Sequence, residues 1–186
     1  MTKAQDDLAP SDPARAESVE EIYDRYAPLV ERWVRRLAGP RADAEDLLHD
    51  IFLVVMRRRR EFRGEAKITT WLFCITQKIV RWRRRKDAVR RLLWGTHGPA
   101  AAEAHAGVPT PVEEVERREA QARLYAALDR MPEKYRTTLV LFAIEGLPGE
   151  AIAALTGTDT NTVWVRLYRA RARLAALLAA EEAPRT

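Results

Sequence analysis

Apolar residues recur along this chain at spacings of three and four, the period of one helix face. From Val19 the series Ile22, Tyr23, Tyr26, Leu29, Val30, Trp33, Val34 and Leu37 predicts a broad-faced helix that Gly39-Pro40 stops. Pro28 falls inside it, as a kink or a short break. Leu47, Leu48, Ile51, Phe52, Val55 and Met56 predict a second helix over 42–62, with Asp43 as its N-cap. Phe62-Arg63-Gly64-Glu65 reads as a loop with Gly64 as its flexible point. A third helix follows over 67–86, its core stripe Ile68, Trp71, Leu72, Ile75 and Ile79. The periodicity lapses over 92–112, where Gly, Ala and Pro dominate and charge nearly vanishes, and it resumes over 113–180. There Val115, Ala122, Leu124, Tyr125, Ala127 and Leu128 form one helix, Met131-Pro132 a break, and Tyr135, Leu139, Val140, Phe142 and Ile144 the next, closed by Glu145-Gly146. Runs of β-branched residues are short, and Ala, Leu, Arg and Glu dominate. The expected fold is all-α: two small helical domains, 19–91 and 113–180, joined by a flexible linker, 92–112. A polar tail, 1–18, without periodicity is expected to be disordered.

The last stretch, GLPGEAIAALTGTDTNTVWVRLYRARARL from Gly146 to Leu174, reads as a helix-turn-helix. Leu147, Ile152, Ala153 and Leu155 give its first helix an apolar side. Gly157 can take positive φ at the turn, and Thr158 or Asp159 can cap the second helix. In that helix Val163, Leu167, Ala170 and Leu174 form a buried stripe. Thr160, Asn161, Trp164, Tyr168 and Arg171 project from the other face, flanked by Arg166, Arg169 and Arg173. A recognition helix sets such a face against base edges in the major groove and its cations against phosphates. A plain amphipathic hairpin with solvated arginines is the alternative.

Charge sharpens this picture. The 186 residues carry +5, with a sequence pI near 9.6, and the arginines cluster. Arg81, Arg83, Arg84, Arg85 and Lys86 surround Trp82, and Arg90 and Arg91 extend the run, a combination suited to a nucleic-acid backbone and base stacking. Asp43, Glu45, Asp46 and Asp50 crowd the start of the second helix, with Arg57 to Arg60 at its end. That order complements the helix dipole. Dipole complementation needs only one or two acids, so four also suit a basic protein partner. Cys74 is the single cysteine, which excludes an intramolecular disulfide and a CxxC site. His97 and His105 lack companion ligands, and neither a metal nor a cofactor is expected. The N-terminus lacks the apolar core of a signal peptide, and no apolar run approaches the roughly 20 residues needed to span a bilayer; a cytoplasmic protein is expected.

Taken in order, DAEDLLHDIF, FRGEAKITTWLF, the basic run, a linker, MPEKYRTTLVL and the helix-turn-helix resemble a bacterial sigma factor of the sigma-70 family, in its two-domain extracytoplasmic-function (ECF) group. The resemblance covers about 19–91 and 113–178. It implies that the first domain is region 2 and the second region 4, and that the chain joins core RNA polymerase through the β′ coiled coil and the β subunit. Asp43, Asp46, His49 and Asp50 would lie on the β′ contact; relatives often have Gln where His49 stands. Phe62, Arg63, Gly64, Glu65 and Lys67 would capture an unstacked base of the promoter minus-10 element, with Lys78, Arg81, Arg83 and Arg84 on phosphates. Thr160, Asn161, Thr162, Trp164, Val165, Arg166, Tyr168, Arg169 and Arg171 would serve the minus-35 element. An anti-sigma protein would hold the factor inactive. The chain departs from the family pattern at Lys78, Trp82, Phe142, Pro148-Gly149, Trp164 and Val165, which bears on promoter sequence.

Two other functions compete. A self-sufficient helix-turn-helix regulator would bind duplex operators without polymerase, usually as a dimer. The acidic helix and the single-strand-like loop weigh against it. A nucleic-acid enzyme would need carboxylates gathered around a metal. The acids at 43–50 instead edge a helix with a dense apolar face, and the only serines are Ser11 and Ser18 in the tail. No catalytic residue is expected.

Overall fold

A computed structural model describes residues 18–94 and 111–182. All regular structure among them is helical: α1 Val19–Ala38, α2 Ala44–Arg58 with one 3₁₀ turn Arg59–Glu61, α3 Ile68–Trp94, α4 Pro111–Asp129, α5 Glu133–Leu139, α6 Gly149–Thr156 and α7 Thr160–Glu182.

Local chemistry explains the boundaries. Ser18 is no part of a tail; it opens α1 in a capping box. Its hydroxyl accepts from the Glu21 N–H at 3.2 Å, and the Glu21 carboxylate accepts from the Ser18 N–H at 2.7 Å. The rest of the expected tail, 1–17, lies outside the described residues. Pro28 does not interrupt α1, which runs on to a cap at Gly39, φ 90°. Asp43 caps α2 by accepting from the Asp46 N–H at 3.0 Å, as expected, but α2 stops short of Phe62. Helix α3 outruns its expected end at Lys86 by eight residues, because no breaker intervenes before Gly95. Helix α4 opens at Pro111, whose missing N–H suits a first turn. The expected linker is therefore shortened at both ends, and 95–110 lie outside the described residues. Past Leu139 the chain adds a wider π-helical turn, Val140–Ile144, so that the Glu145 N–H reaches back five residues to the Val140 carbonyl at 3.0 Å.

Helix α7 begins as the sequence predicts. Gly157 is left-handed at φ 62°, and Asp159 accepts from the Thr162 N–H at 2.8 Å and from the Thr162 hydroxyl at 2.5 Å. These bonds, the hydroxyl one foremost, hold the Asp159 carboxyl below the usual range.

Helices α1, α2 and α3 pack as a bundle around Ile22, Val30, Val34, Ile51 and Leu72, with Trp33 edge-on to Phe73 at 5.2 Å. Leu128, Leu141, Ile152, Val163, Leu167 and Ala170 bury the α4–α7 group. The two groups touch. Helix α3 packs on α6, α1 meets the π-helical turn, and the buried side chains join into one core. Arg136 of α5 sits at this junction with none of its surface exposed. One guanidinium nitrogen donates to the Leu37 carbonyl at 2.6 Å, another to Asp129 at 3.0 Å, and the group lies 5.7 Å from the Tyr125 ring centre. Burial pushes its pKa down to about 10, so it remains charged at neutral pH. Around it, Tyr125 donates to the Arg36 carbonyl at 3.1 Å, Gln77 to Thr137 at 3.0 Å, and Arg32 pairs with Glu145. Tyr125 packs so closely on Gly39 that a Cβ there would come within 2.6 Å of its ring.

Two outcomes follow from the caps and the buried charge. In urea titrations followed by circular dichroism, Asp129→Ala should cost about 3 kcal/mol, because it strands the Arg136 charge. Arg136→Met should cost less, since the charge leaves with its desolvation penalty; equal losses would show that the charge is not the controlling term. In acid, the stabilisation from Asp159 is present above pH ~4 and lost as pH falls through its depressed folded value. Asp159→Ala should therefore remove part of the acid dependence of unfolding, measured between pH 5 and 2.

Candidate functional site

The acids of α2 are not bare. Asp46 and Asp50 stand one turn apart, and Arg83 of α3 bridges them at 2.6 and 2.9 Å. Burial alone would lower the Arg83 pKa, but hydrogen bonds to Asp50 and Asp46 outweigh it and raise it. His49 is exposed on the same helix, and Asp43 is committed to the cap. Arg83, expected in a row of phosphate contacts, pairs with α2. Arg84, expected in the same row, pairs with Asp129 at 3.1 Å and Glu133 at 3.0 Å on the other helical group. The reason is helical: successive residues point about 100° apart, so a run of adjacent cations cannot share one face. Lys78 and Arg81, three apart, do share one. They are exposed and line a cleft of about 420 Å³ with Lys134, Thr137 and Thr138 of α5 and Arg166 of α7.

The loop before α3 is anchored by Phe62, the first of the residues expected at the unstacked base. Phe62 is buried against Trp71 at 5.2 Å, with the Arg59 guanidinium 5.8 Å from its ring. Arg63, Glu65 and Lys67 remain exposed around Gly64, φ 74°. Trp82 is 55% exposed, with Lys86 5.1 Å from its ring.

Helix α7 sorts its residues onto separate sides. Val163, Leu167 and Ala170 are buried, as the periodicity predicts. Arg166 faces the cleft, and Arg169 hydrogen-bonds Tyr135 of α5, which holds that phenol below its ordinary pKa. Asn161, Trp164, Val165 and Tyr168 are exposed, Thr160 is half-buried, and Arg171 lies 5.4 Å from the Phe142 ring. The Thr162 hydroxyl donates to Asp159 at 2.5 Å, within the cap of α7. Trp164, 47% exposed, lies edge-on to Phe142 at 5.7 Å and over Gly149. Gly149 and Phe142 were absent from the expected site. Their signal was the coincidence of three unusual residues, 142, 149 and 164, which the fold brings into contact.

Among the described residues no cluster of His, Cys, Asp or Glu could hold a metal ion, and no helix is long and apolar enough to cross a membrane. His97 and His105 lie outside them.

Comparison with known proteins gives the family. The models for sigma-70 region 2 and sigma-70 region 4 match residues 22–89 and 121–174. The RNA polymerase sigma factor NccH of Alcaligenes xylosoxydans xylosoxydans is 32% identical over 158 residues, 85% of each chain. The ECF RNA polymerase sigma factor SigE of Mycolicibacterium smegmatis is 33% identical over 173 residues, 92% of this chain and 65% of that one. Among solved structures, CnrH in complex with the cytosolic domain of CnrY aligns with a TM-score of 0.58 at 23% identity, over 91% of this chain and 95% of that one. RpoE in complex with the anti-sigma factor NepR from Bartonella quintana aligns at 0.57 and 22%, over 86% and 96%. With an acid-edged three-helix bundle, a capped helix-turn-helix and these relatives, the chain belongs to the sigma-70 family of RNA polymerase sigma factors, in the ECF group.

Proposed function

We propose that this sigma factor divides its work between the two helical groups, 19–91 and 113–180. The first docks on core polymerase through Asp46, His49 and Asp50 and engages the minus-10 element through Arg63, Glu65, Lys67, Lys78 and Arg81. The second reads the minus-35 element through α7. The observation that carries this reading is the capped α7, which turns Asn161, Trp164, Val165 and Tyr168 outward with cations on its flank. The chemistry is binding, with no catalytic step and no cofactor, and the place of action is the cytoplasm, where polymerase and promoter are.

Closure of the two groups sets a regulatory condition. Arg84 is tied to Asp129 and Glu133, while Lys78, Arg81 and Arg166 share one narrow cleft. Two promoter elements lying roughly two helical turns apart require these residues to separate. CnrH and RpoE were each solved with a protein partner. By extension, an anti-sigma protein holds this chain in an arrangement that cannot span a promoter. The alternative of a self-sufficient regulator has no support from the relatives.

The test is transcription by core polymerase plus this protein on a library of genomic promoters. Discrete starts that share an upstream two-part motif are expected; binding without initiation, or no complex, would overturn the reading. Asp46→Lys should weaken core binding at least ~10-fold in a pull-down while leaving the circular dichroism spectrum intact, because Asp46 is exposed. Arg166→Ala should weaken binding of every promoter alike and lower the salt dependence by about one unit of slope. Altered preference among promoters would contradict its role as a phosphate contact.

A further inference from the structure

The exposed face of α7 is unusually apolar for a helix that meets DNA. Trp164 is 47% exposed, Val165 49% and Tyr168 78%. Positions 161, 164, 165 and 168 are neighbours at spacings of three and four, so these side chains form one patch with Asn161 at its edge. The patch lies away from the buried stripe and beside the side that carries Arg166 and Arg169.

Trp164 is not a loose surface ring. Phe142 meets it edge-on, with planes at 77° and centres 5.7 Å apart. Gly149 leaves the room for it; a Cβ at 149 would come within 2.9 Å of Trp164 Cζ2. Arg171 in turn lies against the Phe142 ring. The indole is thus held in one pose, half buried and half presented.

A major groove offers such a patch one apolar group, the C5 methyl of thymine. The polar signatures of guanine, adenine and cytosine call for Arg, Asn, Gln or acidic partners; within the patch only Asn161 is of this kind, while Arg171 lies beside it against Phe142 and Arg169 on its flank. We propose that Trp164, with Val165 and Tyr168, reads thymine methyls in the upstream promoter element, and that Phe142 and Gly149 are positioning residues for the indole. The inference rests on α7 being the recognition helix and adds what that helix selects.

The test uses holoenzyme formed with core polymerase and a promoter selected from the library. Each thymine of the upstream element, on either strand, is replaced in turn by deoxyuridine, which removes the methyl and keeps every hydrogen-bonding group. Promoter binding should fall roughly four-fold at one or more positions. Trp164→Ala should abolish that difference between thymine and uracil. Gly149→Ala, which displaces the indole without removing it, should shrink the difference or move it to another position. Unchanged binding with deoxyuridine everywhere, or the same sensitivity in folded Trp164→Ala holoenzyme, would overturn the proposal. Should Trp164→Ala lose its helical signal, the Gly149→Ala result decides in its place. A holoenzyme that selects no upstream element at all removes the recognition-helix reading and this inference with it, an outcome distinct from methyl-blind selection.

Discussion

A fully buried guanidinium ties the two halves of this protein together. Burying a charge costs several kcal/mol unless it is paired and hydrogen-bonded. Arg136 meets the condition only because α1 and α4 both supply oxygens to it: the Leu37 carbonyl from one group, Asp129 from its own. Its Nε finds no partner, so the environment is only just sufficient. Parting the two groups would return Arg136 to water and relieve that cost, while giving up the Leu37 and Tyr125 contacts across the seam. An interface built this way is held by balanced large terms.

The rest of the charge distribution follows the same logic. Acids and bases that sequence reasoning had assigned to outside partners find each other within the chain. Arg83 pairs with Asp46 and Asp50, and Arg84 bridges to Asp129 and Glu133. These pairs are partly buried, with the Arg83 side chain 26% and the Arg84 side chain 15% exposed.

The helix-turn-helix is rigid by comparison. Asp159 and Gly157 set where α7 starts, the Val163–Leu167–Ala170 stripe sets its rotation, and rotation alone decides which side chains face outward. The Trp164 pose adds a layer to this: a large residue is accepted at 164 because a glycine stands at 149 and an aromatic at 142.

Helix positions, the N-caps Asp43 and Asp159, the left-handed Gly157 and the buried stripe of α7 were legible from sequence, because each depends on residues within a turn or two of one another. The resemblance that gave the family was carried by the same local motifs. What was not legible depends on contacts between distant residues. The burial of Phe62 was not legible, because it depends on Trp71, one loop away, to receive the ring. The ion pairs of Arg83 and Arg84 were not legible in a continuous basic run, because helical rotation aims the two at different acids. Arg136 carried no signal at all, since an arginine in a helix is ordinarily solvated and only the approach of α1 buries it. Periodicity determines which face of a helix is covered; what covers it, and which charges are thereby consumed, is decided only when the helices meet.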